Sequence, residues 1–292
     1  MIRGSIVALV TPMRSDDAID WEGLDALVEW HVESGTQGIV PVGTTGESPT
    51  VTPGEHCEII RAVVELVKGR IPVIAGTGAN STREAIEFTA SAKDSGADAC
   101  LLVTPYYNKP TQEGLFLHHK AIAKAVDLPQ ILYNVPGRTA VDLLPETVAR
   151  LVDLEQVIGI KEATGSVSRA ADIRALCGQA IDIYSGDDAT ARELMLQGGQ
   201  GTISVTANLV PAMMAEMAAA AVAGDRDTAE RLNQPLMGLH EQLFLEANPI
   251  PVKWALAQMG RINSGIRLPL TTLSQHHQQA VRSAMITAGI IL

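Results

Sequence analysis

Short apolar runs alternate with helix-length amphipathic segments through the first two-thirds of the chain. The runs are "SIVALV", "GIVPV", "IPVIAG", "ACLLV", "PQILYNV", "VIGIK", "IDIYSG" and "GTISV", beginning near residues 5, 38, 71, 99, 129, 157, 181 and 201. Most are apolar throughout rather than alternating, which fits strands buried on both faces, as in a parallel sheet covered by helices. The segments between them, such as "DWEGLDALVEWHVESG" and "EHCEIIRAVVELVKG", carry apolar residues at helical spacing. Eight such units at about 25-residue spacing predict an α/β fold, a (β/α)8 TIM barrel. An open doubly wound sheet is the alternative, and it usually carries a glycine fingerprint after the first strand. That place holds "VTPMRSDD", without those glycines. Pro41 fits badly, because it falls inside the second run and removes a ladder donor.

After residue 205 the texture changes. Residues 211–223, 225–246, 251–259 and 272–288 read as helices, with Gly224, Gly260 and Gly289 placed as C-caps and Pro235 expected to kink the second. The predicted organisation is a catalytic barrel over residues 1–225 and a C-terminal helical region over 226–292. No linker rich in Pro, Gly or Ser separates them, so the extension is expected to pack on the barrel.

Composition narrows the classes of function. Hydrophobic residues make up 46% of the 292 and charged residues 19%, enough for a large core. The net charge of −11 argues against nucleic acid or an anionic membrane as partner. It also requires that an anionic substrate be held by local positive charge. Cys57, Cys100 and Cys177 show no motif spacing and suggest free thiols in a reducing compartment. The first apolar run is too short for a signal peptide, and Glu216 interrupts the longest aliphatic stretch, so the expectation is a soluble cytoplasmic protein. The seven histidines lack metal spacing, and Asp187-Asp188 reads more easily as an acidic helix start than as a metal site. "GTTGE" lacks the lysine of a phosphate-binding loop. Neither a metal nor a cofactor is expected.

Chemistry in such a barrel sits at the C-terminal ends of the strands. There the sequence puts "GTTGES" at 43–48, "TPYYNKP" at 104–110, Tyr133 with "NVPGR", and Lys161. The four tyrosines, Tyr106, Tyr107, Tyr133 and Tyr184, all lie at or beside strand ends. Val157, Gly159 and Lys161 share one strand face, and Gly159 there is expected to leave room for a ligand. The next strand would set Tyr133 beside Lys161. Of seven lysines, the other six sit in polar or amphipathic surroundings. A desolvated lysine has a lowered pKa, and its neutral amine can form a Schiff base with a carbonyl substrate. Tyr107, Tyr133, Thr44 and Thr45 supply hydroxyls for proton transfer, and Arg138 offers a carboxylate site. Taken singly, a strand-end lysine is more often a surface residue and a tyrosine pair more often packing. Their joint placement carries the reading.

The stretches "GTTGES", "TPYYNKP", "LYNVPGRT" at 132–139 and "GIKEATG" at 159–165 together resemble bacterial dihydrodipicolinate synthases. These belong to the pyruvate-dependent class I aldolases that include N-acetylneuraminate lyase. The resemblance implies a cofactor-free lyase that condenses pyruvate with L-aspartate 4-semialdehyde, on the route to diaminopimelate and lysine. It implies a homo-oligomer, a tetramer built from dimers. By the family pattern Lys161 forms the pyruvate Schiff base and Tyr133 gives and takes protons. Thr44 and Tyr107, the latter from a neighbouring subunit, complete the relay. Thr45 and Ile203 hold pyruvate, and Arg138 binds the semialdehyde carboxylate. A lysine-binding regulatory pocket falls on Ser48, Pro49, His56, Asn80, Glu84 and Tyr106. Position 53, usually histidine in lysine-sensitive relatives, is Pro53, and the usual alanine is Pro49, so weak or absent lysine inhibition is expected. A sister aldolase acting on a sugar acid and a non-catalytic barrel remain as alternatives.

Overall fold

The computed structural model describes residues 2–291. Its strands are β1 (Gly4–Ala8), β2 (Gly38–Val40), β3 (Ile74–Gly76), β4 (Ala99–Val103), β5 (Gln130–Asn134), β6 (Val157–Glu162), β7 (Asp182–Ser185) and β8 (Gly201–Ser204). They pair in parallel in the order β2-β1-β8-β7-β6-β5-β4-β3, and a bridge between Ile39 and Val73 draws the two edges together. The predicted (β/α)8 barrel is therefore present and nearly closed.

The barrel helices are α1 (Trp21–Glu33), α2 (Pro53–Val67), α3 (Thr82–Asp94), α4 (Gln112–Ala125), α5 (Pro136–Thr139), α6 (Pro145–Leu151), α7 (Val167–Cys177), α8 (Asp188–Leu196) and α9 (Pro211–Val222). Their starts are encoded locally. Asp20 caps α1 through the Gly23 N–H, and Thr52 with Glu55 forms a capping box on α2. Pro53 occupies the first turn of α2, where a missing N–H costs nothing.

Pro41 turns out to lie just past β2 rather than inside it. The strand ends at Val40, and the Pro41 carbonyl accepts the Gly76 N–H at 3.0 Å. The ladder stops where the proline would have broken it.

The helices α10 (Arg226–Asn233), α11 (Met237–Gln242), α12 (Ile250–Gln258) and α13 (Gln275–Thr287) follow. The single helix expected over 225–246 is divided at Gln234–Leu236, a tight turn around Pro235. One apolar cluster runs from Leu24, Ile60 and Met214 of the barrel to Leu239, Trp254 and Met285, so the C-terminal helices pack on the barrel. No helix among the described residues is long and apolar enough to cross a membrane.

The barrel interior holds Ile6, Val40, Ile74, Leu101, Ile131, Tyr133, Tyr184 and Ile203. Tyr184 lies beside the end of β7 as expected but corrects the reading of Gly159. Its hydroxyl turns away from the mouth and donates to the Ile2 carbonyl at 2.9 Å. Its ring takes the space over Gly159, where a Cβ would lie 2.9 Å from Tyr184 Cε2. The glycine therefore accommodates a core tyrosine rather than a ligand.

Candidate active site

Tyr133 and Lys161 are direct partners in the β5–β6 register. Both point inward, and the Lys161 Nζ lies 4.4 Å from the centroid of the Tyr133 ring. Lys161 is 5% exposed. Burial pulls its pKa down to about 8; the Asp188 carboxylate pushes back, and the Arg138 charge adds to the lowering. About a tenth of a lysine with that pKa is neutral at pH 7, against about one in 2,500 for an ordinary one. The turn after β7 packs on the lysine stem, since a Cβ at Gly186 would lie 2.8 Å from Lys161 Cε.

The Tyr133 phenol is also buried. Burial raises its pKa, while the Arg138 charge and a hydrogen bond with Thr44 oppose the rise. Thr44 and Thr45 are presented by the turn after β2. Gly46 is required there, because a Cβ would come within 2.9 Å of Val42 N. Glu47 follows in the left-handed region with φ of 58°.

That turn is held from far away in sequence. Asn248 Nδ2 donates to Thr45 Oγ1 at 3.0 Å. The buried Glu47 carboxylate meets the Lys253 ammonium and accepts the Arg267 N–H at 3.2 Å. Arg138 lies at the end of α5, exposed, with Nη2 donating to the Asn248 carbonyl at 3.3 Å.

A cavity of about 200 Å³ gathers Lys161, Tyr133, Thr44, Thr45, Arg138 and Asn248. A second, of about 220 Å³, shares Thr44, Tyr133 and Arg138 and extends to Ser48, Pro49 and Tyr106. Two of the expected site residues stand apart. Tyr107 is 90% exposed, with φ of 73°, and points to solvent in the single chain. Ile203 packs inside the barrel with Tyr133, and the Lys161 cavity reaches the end of β8 only at Val205.

The residues expected in a regulatory pocket divide similarly. Asn80 Nδ2 donates to the Tyr106 carbonyl at 3.3 Å. Burial raises the Tyr106 phenol pKa, and the Glu84 charge adds to it. His56 faces inward, its Nε2 2.8 Å from the Gly76 carbonyl and its ring stacked on Phe88 at 4.1 Å. Elsewhere, Glu246, His276 and His277 bring potential ligand atoms within 4.8 Å of one another but line neither cavity.

Sequence reading missed Gly186, Asn248 and Lys253, and it read Asp188 only as part of a helix start. Lys253 sits on a segment that reads as an ordinary amphipathic helix, yet it is 4% exposed. Only its partner Glu47, 206 positions away, explains it.

A barrel that offers an amine able to lose its proton near neutrality, with a phenol and a threonine hydroxyl beside it, is built for imine chemistry of the class I aldolase type. Comparison with known proteins narrows that class. The family model described as "Dihydrodipicolinate synthetase family" matches residues 1–288, and the chain belongs to that family. The 4-hydroxy-tetrahydrodipicolinate synthase of Methylococcus capsulatus is 63% identical over 291 residues, covering all of both chains. The crystal structure of the chloride-inhibited dihydrodipicolinate synthase of Acinetobacter baumannii, complexed with pyruvate, is 57% identical, covers 100% of both chains and superposes with a TM-score of 0.99. The Cyanidioschyzon merolae enzyme, solved with lysine bound, is 40% identical, covers 99% of each chain and gives a TM-score of 0.95.

Proposed function

We infer that the chain catalyses the 4-hydroxy-tetrahydrodipicolinate synthase reaction, condensing pyruvate with L-aspartate 4-semialdehyde in the committed step toward diaminopimelate and lysine. The neutral Lys161 amine adds to the ketone carbon of pyruvate. The ketone oxygen takes up protons and leaves as water, and the nitrogen keeps the positive charge as an iminium. The iminium draws electrons from the methyl group, which gives up a proton and becomes an enamine. The enamine carbon attacks the aldehyde, whose oxygen takes a proton. The substrate's own amine then displaces Lys161 from the imine carbon, closing the ring and freeing the enzyme.

Tyr133, in the same cavity as Thr44, carries the protons. Thr45 holds pyruvate: its hydroxyl accepts from Asn248 and keeps its own proton to donate. Ile203, packed beside Tyr133 in the barrel interior, holds pyruvate by the family pattern. Arg138 at the mouth takes the semialdehyde carboxylate, which favours this aldehyde over a sugar-acid partner. Tyr107 completes the relay of another subunit, and its exposure suits that role in a homotetramer built from dimers. Residues 1–225 carry the chemistry and 226–292 support it, in a cytoplasmic enzyme.

The observation that carries this reading is the buried Lys161 amine, lowered to about 8, over the Tyr133 ring. Incubation with pyruvate and borohydride followed by peptide mapping should place a reduced adduct on residues 157–165. An intact, active enzyme without that adduct would overturn the imine route. Sedimentation should show a tetramer.

A further inference from the structure

Asp188 opens α8 and is 2% exposed. Its Oδ2 accepts the N–H groups of Val205 and Thr206, each at 2.9 Å. Its Oδ1 is buried without a hydrogen-bond partner. A carboxylate oxygen in that state is unfavourable unless a positive charge lies close by. The turn that leads into Asp188 contains Gly186, the residue packed against the Lys161 stem.

The other charged and titratable groups around the pair are otherwise engaged. Asp187 caps α8 through Thr190 N and Oγ1. His240 on α11 bonds Thr206 Oγ1 through Nδ1 at 2.9 Å and Asn233 through Nε2, and burial holds it toward neutrality. Arg138 on α5 is exposed and turned to the Asn248 carbonyl. Tyr133 on β5 contributes a buried phenol with a raised pKa. The buried Lys161 makes no salt bridge of its own among the described residues, its stem packs on the turn that leads into Asp188, and the Asp188 charge opposes the fall in its pKa that burial causes.

We propose that Asp188 is the counter-ion of Lys161: its free carboxylate oxygen supports positive charge on the lysine nitrogen, first as ammonium and then as the pyruvate iminium. It is a positioning residue, touching neither substrate, and the proposal rests on the imine reading above. Burial alone would favour a neutral amine and an unstable iminium. An attractive carboxylate that opposes the desolvation keeps both the free amine and the cation within reach near neutral pH. The same carboxylate, through Val205 and Thr206, also fixes the exit of β8.

Asp188→Asn removes the charge and keeps an acceptor for the two backbone amides. The test is pyruvate trapping by cyanoborohydride as a function of pH, in the intact wild type and the variant, with melting temperatures alongside. The acid-side midpoint of trapping should move down by about one unit or more in the variant, because the charged amine has lost support. At pH 9 or above, where the amine is free of its proton in both proteins, the pyruvate concentration for half-maximal trapping should rise about tenfold, because the iminium has lost the same support. A purely structural role would lower stability and rate and leave the midpoint in place; a folded variant with an unmoved midpoint overturns the proposal. Should Asp188→Asn not fold, the double variant Lys161→Met with Asp188→Asn, which removes both charges, should fold. Its failure would show that charge pairing is not what Asp188 supplies. A wild type that traps no pyruvate would instead sink the imine reading itself.

Discussion

Lys161, at the mouth of the barrel on β6, and Lys253, on α12 where the C-terminal helices meet the barrel, are 5% and 4% exposed. Desolvation pulls the pKa of both down. They differ in what touches them. Lys253 meets the Glu47 carboxylate directly, with Arg267 close by, and this attraction opposes the desolvation. Lys161 forms no salt bridge among the described residues; its nitrogen faces an aromatic ring and a cavity. Depth of burial therefore says little about the role of a lysine. A contacting carboxylate makes it a rivet, and an empty space with proton-transfer groups makes it a reagent.

Replacing each lysine by methionine separates the two roles most sharply. Lys161→Met should abolish turnover, since no other group can form the imine. The fold should be stabilised once Asp188, left without its cation, is neutralised too, as in the double variant Lys161→Met with Asp188→Asn. A lysine lowered from about 10.4 to about 8 binds fewer protons folded than unfolded, so its ammonium costs stability at pH 7, by about 2–3 kcal/mol for a fully buried group. The cost fades as pH rises from 8 toward 10, where the unfolded chain also releases the proton. Parallel melts of wild type and double variant at pH 7 and pH 10 should show the gap closing; a double variant less stable than wild type at pH 7 would break the comparison.

Tyr133→Phe keeps the ring over Lys161 and removes the hydroxyl. Turnover should fall by about 10²–10⁴-fold with the fold intact, as for other general acid–base groups. Activity within a few-fold of wild type would place the proton shuttle elsewhere.

Lys253→Met leaves the buried Glu47 carboxylate without its cation and should destabilise by about 3–5 kcal/mol, the opposite sign to the Lys161→Met, Asp188→Asn double variant. Denaturant titration measures it. The double variant with Glu47→Gln should recover much of the loss, because a neutral amide replaces the stranded charge.

The smallest effect concerns end-product control. Pro53 is committed to the first turn of α2 and offers no side-chain donor, and His56 is tied to Gly76 and Phe88. One lost hydrogen bond to a charged ligand weakens binding by about tenfold or more. L-lysine should therefore inhibit weakly or not at all in an initial-rate titration at saturating pyruvate. Near-complete inhibition below about 1 mM would show that Ser48, Asn80, Glu84 and Tyr106 suffice.

The barrel and the Lys161–Tyr133 pair were legible in the sequence because both rest on local rules. Continuous apolar runs mark buried parallel strands, and strand parity fixes which side chains face inward. Gly159 was read for the right face and the wrong tenant, because parity does not say how far a neighbouring Tyr184 leans along the barrel. Pro41 misled by a single position, since strand ends are set by pairing rather than composition. Asn248 bonded to Thr45, and Glu47 paired with Lys253, left no local trace. Their partners lie 203 and 206 positions away, a separation that no periodicity encodes. Asp188 was half visible: its place at a helix start could be read, its burial could not.

The bonds from Asn248, Lys253 and Arg267 into the turn after β2 bear on how such an enzyme can be recombined. A chimera that joins one homologue's residues 1–225 to another's tail would inherit Thr45 and Glu47 from one parent and their holders from the other. The graft would keep every group in the barrel that does chemistry and lose the jig that sets two of its hydroxyls. Breeding new aldolases from this scaffold thus calls for moving the turn and its three distant anchors as one hereditary unit, whatever the boundary drawn along the chain.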